Sequence, residues 1–234
     1  MGAGIAQIAS QAGHQVILYD LSQSTLDESA SKLAKIMSRL VEKKRITIEE
    51  SHEIQGRIVR STQIDLFEGC DLVVEAVVEN LDVKHSVFKQ LENIVSSDCI
   101  VASNTSSLSI TSLAAGCNHP ERVVGLHFFN PAPLMPLVEI VPAIQTSEDT
   151  PLHLVSLMKN WGKSPVIAKD SPGFIVNRVA RPFYGEALRI LDEGIADVPI
   201  IDTVMRNLGF KMGPFQLMDL IGQDVNYAVT ESVF

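Results

Sequence analysis

Two residue types that rarely sit together in apolar surroundings open the case. His127 lies in the run LHFFN, and Glu139 lies twelve residues on in LVEIV. An imidazole can take a proton near neutrality. A carboxylate on its other nitrogen would fix the tautomer and stabilise the imidazolium. Glu139 in an apolar strand would be costly unless paired, so it calls for a partner. His127 alone, flanked by Phe128 and Phe129, reads more readily as a satisfied core histidine, and it is the surrounding motifs that reverse this.

Three further segments carry polar residues at the ends of apolar runs. They are Glu75-Ala76-Val77-Val78-Glu79-Asn80 followed by Lys84, Ser103-Asn104-Thr105-Ser106-Ser107-Leu108, and Asp170-Ser171-Pro172-Gly173-Phe174-Ile175-Val176-Asn177-Arg178. A serine hydroxyl and an asparagine amide could polarise a carbonyl oxygen. The plain alternatives are that Ser106 caps a helix starting near Ser107, that Asn177 is a polar helix face, and that Glu79 and Lys84 pair on a surface.

The elements that must position these groups follow from periodicity. Residues 15–20 (QVILYD), 71–78, 99–103, 123–129, 137–141 and 164–168 read as strands, and 22–44 and 81–95 as helices, with Ser22 as an N-cap. This alternation implies an α/β fold, a doubly wound and mostly parallel sheet covered on both faces. Beyond a turn-rich stretch at 169–173 the pattern is helical, over 174–191, 200–208 and 214–234, with Pro214 suited to a first helical turn. The expected division is therefore 1–169 and a smaller all-α domain, 170–234. Polar groups in three of the four segments then fall at carboxyl ends of parallel strands, where open α/β sheets bind ligands.

The chain opens MGAGIAQIA with no strand before it, and Asp20 closes the next strand. Gly2 at a helix start and Asp20 fit the last glycine of a dinucleotide loop and the acid that accepts from the adenosine ribose. A plain βα turn accounts for the same pair. Under the nucleotide reading the first strand of the sheet is missing, and the acid favours NAD over NADP.

Composition narrows the field. Nineteen basic against 28 acidic residues give a net charge of −9, which argues against nucleic acid as the main partner. Cys70, Cys99 and Cys117 have no metal-ligand spacing and suit a reducing compartment, and no metal is expected. No apolar stretch reaches membrane-spanning length, and the expected location is cytoplasmic. The basic run Lys43-Lys44-Arg45 reads as a solvated helix end. Met37, Met205, Met212 and Met218 read as packing residues.

SNTSSL, GLHFFNP, LVEIV, DSPGFIVNR and MGPFQLMDLIGQDV, in this order, resemble the 3-hydroxyacyl-CoA dehydrogenase family, over essentially the whole chain. The resemblance implies NAD-linked oxidation of an L-3-hydroxyacyl-CoA thioester, with a Rossmann-like first domain lacking its first strand. It implies His127 as base, Glu139 as its partner, and Ser106 and Asn177 on the substrate oxygen. Glu79, Lys84 and Asn130 would lie near the nicotinamide half of NAD, with Gly2 and Asp20 at the other end. A homodimer, and truncation of the chain at both ends, are implied by resemblance alone. Truncation would leave an exposed apolar face on the last segment. Two alternatives stand beside this reading: a non-catalytic relative with a structural or binding role, and a dehydrogenase of hydroxy or sugar acids without coenzyme A.

Overall fold

A computed structural model describes residues 1–233; the expected last helix includes Phe234, which lies outside the described residues. In chain order the elements are α1 (Gly2–Gln11), β1 (Val16–Tyr19), α2 (Gln23–Glu42), α3 (Ile48–Gly56), β2 (Ile58–Ser61), β3 (Leu72–Glu75), α4 (Leu81–Glu92), β4 (Ile100–Ser103), α5 (Ile110–Ala115), β5 (Val123–Phe128), β6 (Leu137–Pro142), α6 (Asp149–Asn160), β7 (Ser164–Ile167), α7 (Val176–Asp192), α8 (Val198–Asn207), α9 (Pro214–Ile221) and α10 (Gln223–Val233). Two compact units result. One holds residues 1–105 and 110–169, the other residues 106–109 and the chain from Asp170 onward.

In the first unit the strands form two sheets. β1 pairs with β2, and β3-β4-β5-β6-β7 form a second sheet. All pairings are parallel except β5 with β6. The sheet expected to lack its first strand is thus divided between β1 and β3. Gly2 at the start of α1 bridges the division, because a Cβ there would lie 3.9 Å from both Leu18 of β1 and Ala76 just after β3.

Alternation along β5 separates its two faces. Val124, Leu126 and Phe128 join Ile5 and Ile8 of α1 and Leu154 and Met158 of α6 in one core cluster. Gly125 and His127 point the other way. A Cβ on Gly125 would come within 2.8 Å of Ile110 and 2.9 Å of Val141, so α5 can lie against the sheet only over a glycine. A second cluster joins Ala6, Leu33, Met37, Ile54 and Ile58, which seats α1, α2 and α3 on β1 and β2.

The structure adjusts several expectations. The strand expected over 71–78 stops at Glu75, because its carboxylate accepts from the Val77 backbone N–H and turns the chain out of the sheet. Strand β2 and helices α3 and α6 add to the expected elements. Arg57 and Arg60 interrupt the apolar pattern around β2, whereas α3 carries a complete capping box between Thr47 and Glu50. Ser22 does cap α2, accepting from the Thr25 N–H. Lys43, Lys44 and Arg45 are solvent-exposed. Met37 and Met218 are fully buried, while Met205 and Met212 are half-buried.

In the second unit the helix expected from residue 174 begins at Val176, after Phe174 with φ 47°. The last expected helix is two helices, broken at Gly222 with φ 97°. Pro214 does open α9. The two Asp202 carboxylate oxygens accept from the N–H groups of Phe215 and Gln216, satisfying donors of its first turn. Leu208, Phe210, Leu220 and Tyr227 are large apolar side chains left exposed here.

Candidate active site

The antiparallel step between β5 and β6 creates the dyad. His127 and Glu139 are direct partners in the register, so their side chains leave the same face of the sheet. Nδ1 of His127 lies 2.8 Å from Oε2 of Glu139. The histidine is buried and the glutamate wholly so. With a carboxylate as acceptor, Nδ1 carries the proton and Nε2 is the basic nitrogen. Phe129 packs its ring 4.5 Å from the imidazole. The apolar-strand glutamate has the partner that its burial demands.

A second buried cluster sits where β3 and β4 end. Glu75 and Ser103 are register partners there. Oε1 of Glu75 accepts from Lys84 Nζ at 2.7 Å, and Oε2 accepts from Ser103 Oγ at 2.7 Å. Lys84 also reaches Glu79 at 3.3 Å, and Glu79 accepts from Thr105 Oγ1 at 2.5 Å. The reading of Glu79 and Lys84 as a surface pair is therefore corrected. Lys84 is 1% exposed, and its nearer partner is Glu75, a residue without an assigned role in the sequence. The signal was available: like Glu139, Glu75 is a carboxylate in an otherwise apolar strand.

Backbone links connect the two clusters. Asn104 N–H donates to the Glu75 carbonyl, and Asn104 Oδ1 accepts from Phe128 N–H, each at 2.8 Å. Asn130 is exposed just beyond β5, before a cis peptide bond to Pro131. The loop that follows is pinned by Lys163, whose Nζ donates to the carbonyls of Ala132 and Met135. Sequence pattern alone assigns no role to Asn104 or Lys163.

The residues present fit a dinucleotide. The N-terminus of α1 stands over the ends of β1 and β3, and Asp20 follows β1 directly, its Oδ1 accepting from the Ser22 N–H at 2.9 Å. Backbone donors and an acid at one strand edge are the parts such a ligand needs. A Cβ on Gly2 would make only ordinary contacts, so helix packing is not what requires a glycine there. Gly4 is the tighter position, with a Cβ 3.3 Å from Pro133.

Ser106 and Asn177 both belong to the second unit. The Asn177 amide donates to the Ser106 backbone carbonyl at 3.2 Å. Ser106 is not a helix cap, because α5 starts only at Ile110. Ser109 Oγ instead donates to Asp170 at 2.9 Å, tying the 106–109 segment to the second unit. Among the described residues no group of histidines, cysteines and acids could hold a metal, and no helix is long and apolar enough to cross a membrane.

Comparison with known proteins decides the family. Residues 1–171 match the family model of the 3-hydroxyacyl-CoA dehydrogenase NAD binding domain, and residues 173–234 match that of its C-terminal domain. The chain belongs to the 3-hydroxyacyl-CoA dehydrogenase family. It is 47% identical to a 3-hydroxyadipyl-CoA dehydrogenase of Escherichia coli, covering 100% of this chain and 50% of that one. It is 41% identical to a probable 3-hydroxybutyryl-CoA dehydrogenase of Deinococcus radiodurans, covering 99% of this chain and 83% of the relative. A crystal structure of 3-hydroxybutyryl-CoA dehydrogenase from E. coli superposes with a TM-score of 0.98 at 47% identity, again over 100% and 50% of the two chains. The (S)-3-hydroxybutyryl-CoA dehydrogenase of Ralstonia eutropha gives 0.96 at 40% identity, over 99% and 82%. The chain therefore spans half the length of its E. coli relatives and most of the length of the Deinococcus and Ralstonia proteins.

Proposed function

We propose that this chain carries the catalytic machinery for reversible NAD-dependent oxidation of an L-3-hydroxyacyl-CoA to the 3-ketoacyl-CoA. The buried His127–Glu139 pair at the carboxyl end of β5 is the observation that carries the reading. The chemistry that NAD would supply in this site is that of a hydride acceptor for C3. Nε2 of His127 takes the proton of the 3-hydroxyl as that hydride departs. Glu139 holds the Nδ1–H and stabilises the positive ring that results. Ser106 and Asn177 supply polar contacts to the 3-oxygen. Asp20 accepts from the adenosine ribose hydroxyls, and Gly2 stands at the N-terminus of α1, whose backbone N–H groups would face the pyrophosphate. Glu79, Lys84 and Asn130 serve the nicotinamide half, with Glu75 fixing Lys84 from behind.

We place the active form as a homodimer in the cytoplasm. Exposed Leu208, Phe210, Leu220 and Tyr227 support a partner surface, and the free thiols of Cys70, Cys99 and Cys117 suit a reducing compartment. Sedimentation of the purified chain checks the dimer.

The activity test follows NADH oxidation with acetoacetyl-CoA and with free acetoacetate. Turnover of the thioester alone supports the reading. Equal turnover of the free acid would favour a dehydrogenase that ignores coenzyme A. A folded chain inert with both would leave a binding role.

A further inference from the structure

Strand β5 outruns its neighbour on one side. β4 stops at Ser103, and its register with β5 ends at the pair Ser103 and Gly125. On the other side β6 stays in register with β5 as far as Phe128. His127 therefore lies on a stretch, residues 126–128, that is in register with β6 and not with β4. That register fixes His127 against Glu139. It does not fix the two of them against β3 and β4.

Asn104 supplies the missing link. Its Oδ1 accepts from the Phe128 N–H at 2.8 Å, beyond the last register pair of β4. Its own N–H donates to the Glu75 carbonyl at 2.8 Å, at the end of β3. One residue thus ties the end of β5 to the end of β3 across the end of β4. A backbone N–H can only donate, so the amide oxygen must face it, and the orientation of the side chain is set. Its neighbours on both sides are anchored too. Ser103 Oγ donates to the Glu75 carboxylate at 2.7 Å and accepts from the Thr105 N–H at 3.2 Å. Thr105 Oγ1 in turn donates to Glu79 at 2.5 Å.

The two ends of this tie give it a meaning for the reaction. One end is the residue after His127. The other is Glu75, whose side chain holds Lys84 at 2.7 Å in the cluster proposed above for the nicotinamide half. Oxidising an alcohol takes a proton from oxygen and a hydride from the adjacent carbon, so both acceptors must stand at a set spacing. A misplacement of about 1 Å can cost about a hundredfold in rate. We infer that Asn104 is a positioning residue: through the Phe128 backbone it holds the His127–Glu139 pair at a fixed distance from the Glu75–Lys84 cluster. This rests on the dehydrogenase reading and goes beyond it, because the residue acts through the sheet. An asparagine that merely ended β4 would affect stability and leave the rate of each folded molecule alone.

The test compares Asn104→Ala and Asn104→Asp with the unaltered full chain, following NADH oxidation with acetoacetyl-CoA and correcting for the folded fraction. Asn104→Ala should lower kcat by about ten- to a hundredfold, with both KM values within about threefold. Asn104→Asp keeps an oxygen for the Phe128 N–H and should restore most of the lost rate. A folded Asn104→Ala within about threefold of the unaltered kcat overturns the inference. So does an Asp variant as slow as the Ala variant, since the role would then belong to Nδ2. Should Asn104→Ala fail to fold, amide hydrogen exchange of the unaltered protein decides. Phe128 should exchange as slowly as Val124 within β5, and exchange at the rate of an open loop overturns the inference. Normal turnover in both the unaltered chain and Asn104→Ala sinks this inference alone. A folded, unaltered chain without turnover sinks the dehydrogenase reading with it.

Discussion

His127 and Glu139 face each other across the antiparallel pairing of β5 and β6. In a parallel pair the two strands would need a long crossover between them. Here the connection is only the loop of residues 129–136, so histidine and acid come from one short stretch of chain. The pair is consequently set by local register, and a one-residue slip would send one partner to the opposite face.

Glu139→Gln keeps a group that can accept from Nδ1 but removes the charge that stabilises the imidazolium. We expect kcat for 3-hydroxyacyl-CoA oxidation to fall by about 10²–10⁴-fold, with little change in KM. Steady-state kinetics check this, and a variant within about threefold of the unaltered rate would contradict it.

Lys84 and Glu75 each have side chains 1% exposed. Lys84→Met leaves the Glu75 carboxylate buried beside Ser103 with Glu79 nearby, and should destabilise the first unit by about 3–5 kcal/mol. The double change Lys84→Met with Glu75→Gln should recover most of that loss. Urea unfolding of the three proteins checks both statements. Equal destabilisation of single and double variants would mean that the pair is not coupled.

The thiols give a pH-dependent outcome. Burial pushes Cys99 and Cys117 up to about 11, and it raises Cys70 as well. Iodoacetamide at about pH 8 should therefore modify the folded chain slowly and the urea-unfolded chain quickly. The linkage has a definite sign. A thiol whose folded pKa lies above its unfolded value supports the fold below about pH 8.5 and loses that support as pH rises toward about 11. Thermal unfolding should accordingly weaken between those values. Rapid labelling of Cys99 in the folded chain would contradict its burial.

The α/β alternation was legible because β1, β3, β4, β5 and β6 are runs of aliphatic residues between turn signals. The dyad was legible because a carboxylate set among the aliphatic residues of LVEIV demands a buried partner. β2 was not legible, since Arg57 and Arg60 mask a short strand whose apolar residues are Ile58 and Val59 alone. The break in the final helix was carried by Gly222 alone, and a glycine inside a helical pattern does not announce a positive φ. The burial of Lys84 is hidden in the sequence for a different reason. Its helix position is that of a surface residue, and only the register of β3 with β4 brings Glu75 and Ser103 to where Lys84 can be buried.

His127→Gln tests the central claim most directly. Turnover of acetoacetyl-CoA should fall by about 10²–10⁴-fold. NAD and NADH titrations should stay within about twofold of the unaltered protein, because the role proposed for His127 is on the substrate proton and not on the cofactor. A folded variant that keeps most of its rate would contradict the assignment of the proton to this histidine.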